Sequence, residues 1–296
     1  MTKLRLSLKN SARAALNSLI LITLVSLGCS SSIEPSFQRE DIAQAICDIS
    51  KEEYGIDARA KLFGHTLWVY LPVENILEKK DKPEKFIEKF EIKDSDSGLK
   101  DSSLTVKYAI KAIPEKENSQ EYGYNKEVME KINNIWKVTR RVLFSMERSD
   151  GSEPEFCVIV TADIKNGIVS KQTIYCKDLK KVSYGYISWD EYQRRSITES
   201  YLSPEAFDDK EGLFLAYKDI TMEEFIPLQI AYRVKLKFQR PDTETNADID
   251  QEVRKIAEHT LKIYNFTGFS TLELENLLSA EKIRLKREQI LEEPKK

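Results

Sequence analysis

Residues 184–201 place seven recognition-type side chains in 18 positions: Tyr184, Tyr186, Trp189, Tyr192, Arg194, Arg195 and Tyr201. Tyr, Trp and Arg dominate the energetic centres of binding interfaces, because each buries a large area and keeps a polar end for hydrogen bonding. The first six form the candidate partner-binding set. The competing reading packs the rings into the core and leaves the arginines in water. Within the same segment Asp190 and Glu191 stand beside Trp189 and Tyr192, a composition that a glycan-cleaving carboxylate pair would use. Ser188-Trp189-Asp190-Glu191 is also a helix capping box, whose first turn favours acids, and that explanation accounts for both carboxylates.

Cysteine offers a second chemistry. Of Cys29, Cys47, Cys157 and Cys176, Cys47 falls on the apolar side of an expected helix and reads as an inert core thiol. Asn166-Gly167 lies between the β-rich runs 156–164 and 168–176, and both residues accept the positive φ of a type I′ turn. A two-residue loop there sets Cys157 directly opposite Cys176, about 5.5 Å apart at Cα, inside the disulfide range. The register predicts either a disulfide between them, contributing about 3 kcal/mol in the chain-entropy model, or two buried reduced thiols on one face.

The remaining catalytic repertoire is thin. The two histidines, His65 and His259, come with no HExxH or CxxC spacing, so no metal is expected. The sequence contains no GxSxG, GxxxxGK[ST] or GxGxxG, and its ten glycines leave little material for a phosphate-cradling loop, so no cofactor is expected.

Helices and hairpins must position these groups. Residues 40–54 carry Ile42, Ala45, Ile46 and Ile49 at helical spacing, with Gly55 as the stop. Around a Gly64-His65 turn, Ala58, Ala60 and Leu62 pair with Leu71, Val69 and Leu67 on an apolar face. Arg59 and Lys61 pair with Tyr70 and Trp68 on a face expected to be partly exposed. A short helix is expected at Ile76 and Leu77. Residues 79–101, mostly Lys, Asp, Glu and Ser, read as a solvated insertion or an edge hairpin, 104–111 as a half-buried strand and 115–124 as a polar connection.

The longest amphipathic helix is 125–147, striped by Val128, Ile132, Ile135, Trp136, Thr139, Val142, Leu143 and Met146. Helix, hairpin and short helix thus recur at 40–78 and 125–182, the pattern of a structural duplication. Further on, capping boxes at 188–191, 221–224 and 270–273 open expected helices, the first to about 201 and the second to about 239, with Pro227 kinking or delaying it. Residues 248–264 form another helix, and the charged end 281–296 is expected to fray.

The N-terminus carries an address. Lys3, Arg5, Lys9 and Arg13 precede the apolar run 16–27 with no acid among residues 1–28, the pattern of a secretory signal peptide. The run is short of the ~20 apolar residues a membrane helix needs. It ends in Val25-Ser26-Leu27-Gly28-Cys29, followed by Ser30-Ser31-Ser32, and so resembles the lipobox of bacterial lipoproteins, with Ser26 where that family usually has Leu. The resemblance covers only about 30 residues. It implies cleavage before Cys29, a diacylglycerol thioether on its sulfur, and acylation of the new N-terminus with palmitate-like chains. Each buried methylene contributes about 0.8 kcal/mol, so several chains hold a domain at a bilayer. Ser30 stands where enterobacterial sorting associates Asp with inner-membrane retention, which implies the periplasmic face of the outer membrane in a cell that has one.

Loss of residues 1–28 leaves 42 basic residues against 49 acidic, a net charge of −7, which disfavours nucleic acid as a partner. The expected organisation is a signal peptide (1–28), a tether (29–38), an α+β domain (39–182) with two helix-hairpin units and a polar insertion near 79–122, and a mainly helical region (183–296). The fold class is α+β: an antiparallel sheet of β-hairpins, helices on one face and a helical C-terminal extension. The functional expectation is a lipid-anchored envelope protein of non-enzymatic binding or structural role, touching the membrane through its lipid and an envelope protein or glycan through the aromatic segment. The alternative is an anchored cell-wall glycan hydrolase using a carboxylate pair.

Overall fold

Gly64, at a φ of 57°, and His65 turn β1 (Arg59–Phe63) into β2 (Thr66–Val73) in the expected register, with Arg59 opposite Tyr70 and Leu62 opposite Leu67. Ahead of them α1 (Ile42–Tyr54) ends on Gly55, whose left-handed backbone lets its N–H close onto Lys51 O. The structure is a computed structural model describing residues 37–146 and 153–291. The expected signal peptide, Cys29 and residues 29–36 of the tether lie outside the described residues.

The fold is α+β, with mixed pairing in both of its sheets. The first runs β1-β2-β5-β6-β7, with β5 (Phe156–Asp163), β6 (Ile168–Tyr175) and β7 (Ile197–Leu202). Its inner strands β2 and β5 are parallel, and all eight residues of β5 are buried. Both strands are apolar on both faces, which suits the covered centre of a sheet. The long connection between them, including α2 (Lys126–Phe144), gives the chain the crossover that parallel pairing requires.

Helices α1 and α2 cover one face, with Ile42, Ile46, Ile135 and Val142 packed on Leu67, Val69 and Ile159. Trp68, Tyr70, Phe156 and Val158 on the other face share a second core with α5 (Met222–Gln239) and α6 (Ile249–Tyr264). That core extends to the second sheet, β3-β4-β8-β9, made of β3 (Leu77–Lys100), β4 (Ser103–Tyr124), β8 (Thr271–Asn276) and β9 (Lys282–Lys286). Shorter helices α3 (Cys176–Ser183), α4 (Trp189–Arg195) and α7 (Arg287–Leu291) complete the molecule.

Several expectations are corrected. The sheets are not purely antiparallel and helices lie on both faces of the first sheet, because its centre presents apolar side chains on both sides. The region after 183 supplies β7, β8 and β9 as well as helices α4 to α7. The helix expected to reach 201 stops at Arg195, and Ile197 and Thr198 enter β7. Ser270-Thr271-Leu272-Glu273 opens β8 rather than a helix: Leu272 and Leu274 alternate inward and pair with β4. Ile76 precedes β3, which Leu77 begins, in place of a short helix. Residues 115–124 are strand, and β3 and β4 form the hairpin expected of the polar insertion, turning through Asp101 and Ser102, both at positive φ. Pro227 is accommodated inside α5.

Trp68 and Tyr70 are buried rather than partly exposed, because residues 208–220 fold over them: Trp68 Nε1 donates to Lys218 O at 2.9 Å and Tyr70 Oη to Asp209 O at 2.5 Å. The helix-hairpin units are not related by translation along the sheet. β1 is antiparallel to β2 and β2 parallel to β5, so β1 and β5 run in opposite directions while α1 and α2 share one face.

The Asn-Gly hairpin also differs in register. Cys157 faces Ile174, not Cys176, and the loop holds four residues, 164–167. The cause is Asp163: its buried carboxylate accepts from the backbone of Lys165, Asn166 and Ile76 and from the Asn166 side chain, closing a longer turn than Asn-Gly alone would. Cys157 and Cys176 are both free, buried thiols of the same core, and Cys47 is a half-buried free thiol.

Candidate functional site

The aromatic segment forms a corner between α3 and α4. Tyr184 ends α3, Gly185 reverses the chain at a φ of 75°, and Ser188 caps α4 by accepting the Glu191 N–H at 3.1 Å. The capping box reading of Asp190 and Glu191 therefore holds for the serine half. The segment is divided between surface and interior. Tyr184, Tyr186 and Trp189 are 58, 79 and 61% exposed and Arg194 is exposed, while Tyr192 and Arg195 are buried. Tyr184 stacks on Phe144 and leans on Tyr186, and Trp189 lies 5.3 Å from the Tyr192 ring.

Arg195 fixes this corner to the body. Its Nε donates to Glu191 at 2.8 Å and its Nη1 to Asp178 at 2.9 Å, while Tyr264 Oη donates to the other Asp178 oxygen at 2.9 Å. Arg233 reaches Glu191 from α5 at 3.4 Å, and Gln229 donates to the Arg194 carbonyl at 2.7 Å. One buried network thus ties α3, α4, α5 and α6, and the geometry of the exposed rings rests on it.

The charges follow from these contacts. Burial raises the Glu191 carboxyl, but the Arg195 hydrogen bond and the Arg233 charge outweigh it, leaving its pKa below the usual range. A general acid at neutral pH needs the opposite displacement, so Glu191 is built as an anchor for two arginines. Asp190 faces solvent. His259 is lowered by burial and then by Arg233. Burial pushes the Cys157 thiol up to about 12 and raises Cys176 as well, so both are poor thiolates.

Two cavities flank α4. One of about 490 Å³ lies between α2, α3 and α4 and is lined by Trp136, Trp189 and Tyr192, among others. The other, about 610 Å³, lies between α4, β7 and α5 and is lined by Arg194, Arg233, Lys237 and Arg240 with Tyr232 and Leu236. Both volumes fall in the range of small-molecule sites. Gln172 and Gln193 line both cavities, and Gln172 accepts the Trp136 indole N–H at 3.1 Å.

The structure brings all six sequence-selected residues to one corner and gives them different jobs: four face outward and two hold the corner in place. Asp178, Arg233 and Tyr264, which complete the network, carry no local signal, because they come from α3, α5 and α6 and meet only through the fold. Trp136 was legible only as one position of a core stripe. Among the described residues no group of His, Cys, Asp and Glu is arranged to hold a metal, and no helix is long and apolar enough to cross a membrane. The chain matches no protein-family model, and no curated protein or solved structure matches it significantly.

Proposed function

We propose that the protein is a lipid-anchored component of the bacterial cell envelope with a non-enzymatic binding role, and that the α3–α4 corner meets an envelope protein or glycan. The observation that carries this reading is the exposure of Tyr184, Tyr186 and Trp189 on a corner whose base is locked by buried Arg195 and Asp178. Three large rings held in water by a rigid support are the form of a recognition element, since binding then costs little ordering of the site. The Leu27-Gly28-Cys29 lipobox and the signal-peptide pattern ahead of it support the anchor, with the periplasmic face of the outer membrane as destination where one exists.

A photoreactive amino acid at Tyr186, introduced in cells, tests the corner. A discrete adduct is expected from position 186 and none from Leu213, which is 85% exposed elsewhere. Trp189→Ala should remove the adduct without changing the protein level. No adduct at 186, or the same pattern from 213, would overturn the assignment.

A further inference from the structure

The two cavities beside α4 are two of three that adjoin through shared lining residues, a composite groove. The 610 Å³ cavity shares Arg240 with a third, of about 550 Å³, between α5 and β3, just as it shares Gln172 and Gln193 with the 490 Å³ cavity. Together the three are lined by nine lysines and arginines and only two acids, Glu88 and Asp190, in a chain whose net charge is −3. Five of the nine cations hold carboxylates in ion pairs.

The other four, Lys137, Arg140, Arg194 and Lys235, are exposed and have no carboxylate partner among the described residues. They are distributed along the groove: Lys137 and Arg140 in the first cavity, Arg194 in the second and Lys235 in the third. Four unpaired cations lining adjoining cavities of an acidic molecule favour an anionic ligand there.

A ligand that engages all four free cations must reach across all three cavities. Along α2 alone, Met129 to Arg140 covers about 16 Å at 1.5 Å per residue, and that is one cavity of three. Alongside the free cations the lining offers aromatic rings (Trp136, Trp189, Tyr232) and neutral hydrogen-bonding groups (Gln172, Gln193, Thr198). A nucleic-acid strand carries a phosphate at every link and is matched by dense positive charge. A lining that mixes a few free cations with amide and aromatic side chains matches a polymer whose charges are separated by hydroxyl-bearing rings.

We propose that this groove binds an acidic polysaccharide, with carboxylates on Lys137, Arg140, Arg194 and Lys235 and sugar faces on Trp136, Trp189 and Tyr232. The inference rests on the binding role proposed above and names the chemistry of its glycan partner.

Hyaluronan oligosaccharide, with a carboxylate on alternate sugars, is the probe, titrated against the full chain in detergent and followed by tryptophan fluorescence. A neutral chito-oligosaccharide and an oligothymidylate of equal length serve as comparisons. Hyaluronan should bind, weaken with salt, and bind at least about tenfold tighter than either comparison. The exposed quadruple variant Lys137→Ala, Arg140→Ala, Arg194→Ala, Lys235→Ala should keep its thermal midpoint and lose about tenfold or more in affinity.

No binding by the folded wild type, unchanged binding by the quadruple variant, or tighter binding of oligothymidylate would each overturn the proposal. The titration needs neither export nor acylation. A protein that is anchored and cross-links at 186 but ignores hyaluronan loses only the groove; one that binds hyaluronan without being anchored loses the envelope reading.

Discussion

Arg195 shows how a surface-looking residue type becomes structural. Its side chain is 9% exposed and its partner Asp178 1%, so removing the guanidinium leaves a buried carboxylate facing only Tyr264 and Lys181. Arg195→Met is expected to destabilise by about 3 kcal/mol in urea unfolding, the low end of the cost of breaking a buried ion pair, because Lys181 stays within reach of Asp178. Arg195→Lys should recover only part of it, since a single ammonium cannot replace the fork that reaches both Asp178 and Glu191. Near-wild-type stability of Arg195→Met would show the network to be dispensable.

Glu191 supplies the pH signature. Its pKa is lower folded than the ordinary value of 4.5, so it stabilises the fold above that value and the contribution is lost as pH falls through the folded pKa. The stability gap between wild type and Glu191→Gln should therefore narrow as pH drops below about 4.5. A gap that stays constant down to about pH 3 would contradict the ion-pair assignment.

At the scale of elements, one carboxylate sets a register. Asp163 draws four donors into the turn after β5 and moves the β5/β6 pairing by two residues from the one that Asn166-Gly167 implies. Asp163→Ala should cost more than about 3 kcal/mol, because it orphans the buried Ile76 N–H and removes three part-buried hydrogen bonds to a charged group. Denaturant unfolding measures this, and a loss under 1 kcal/mol, small even for one hydrogen bond to a charged group, would mean that Asp163 does not hold the turn.

The β1/β2 register was legible because a tight turn and strict alternation determine it locally. The α5 capping box was equally legible, since the Thr221 and Glu224 side chains both bond within the first turn. β7 and β8 were not, because pairing with β6 across the intervening α3 and α4, and with β4 far earlier in the chain, decides those segments. Trp68 and Tyr70 failed for the same reason: the segment that buries them arrives about 140 residues later. The site divides the same way, its aromatic cluster visible as composition and its Asp178–Arg195–Glu191–Arg233 support visible only after folding.

At the scale of the whole molecule, two cores joined through one sheet support an exposed corner and a cation-lined groove, and the proposed lipid anchor rests on the N-terminal pattern. The partner proposed for the corner depends on that anchor, because it decides which molecules the corner can meet. The most direct test is the intact mass of the protein extracted from membranes, compared with the Cys29→Ser variant. A chain beginning at Cys29 and carrying added acyl mass, absent from the variant, is the expected result. An unmodified chain that starts elsewhere or keeps residues 1–28 would contradict the lipid-anchored envelope role.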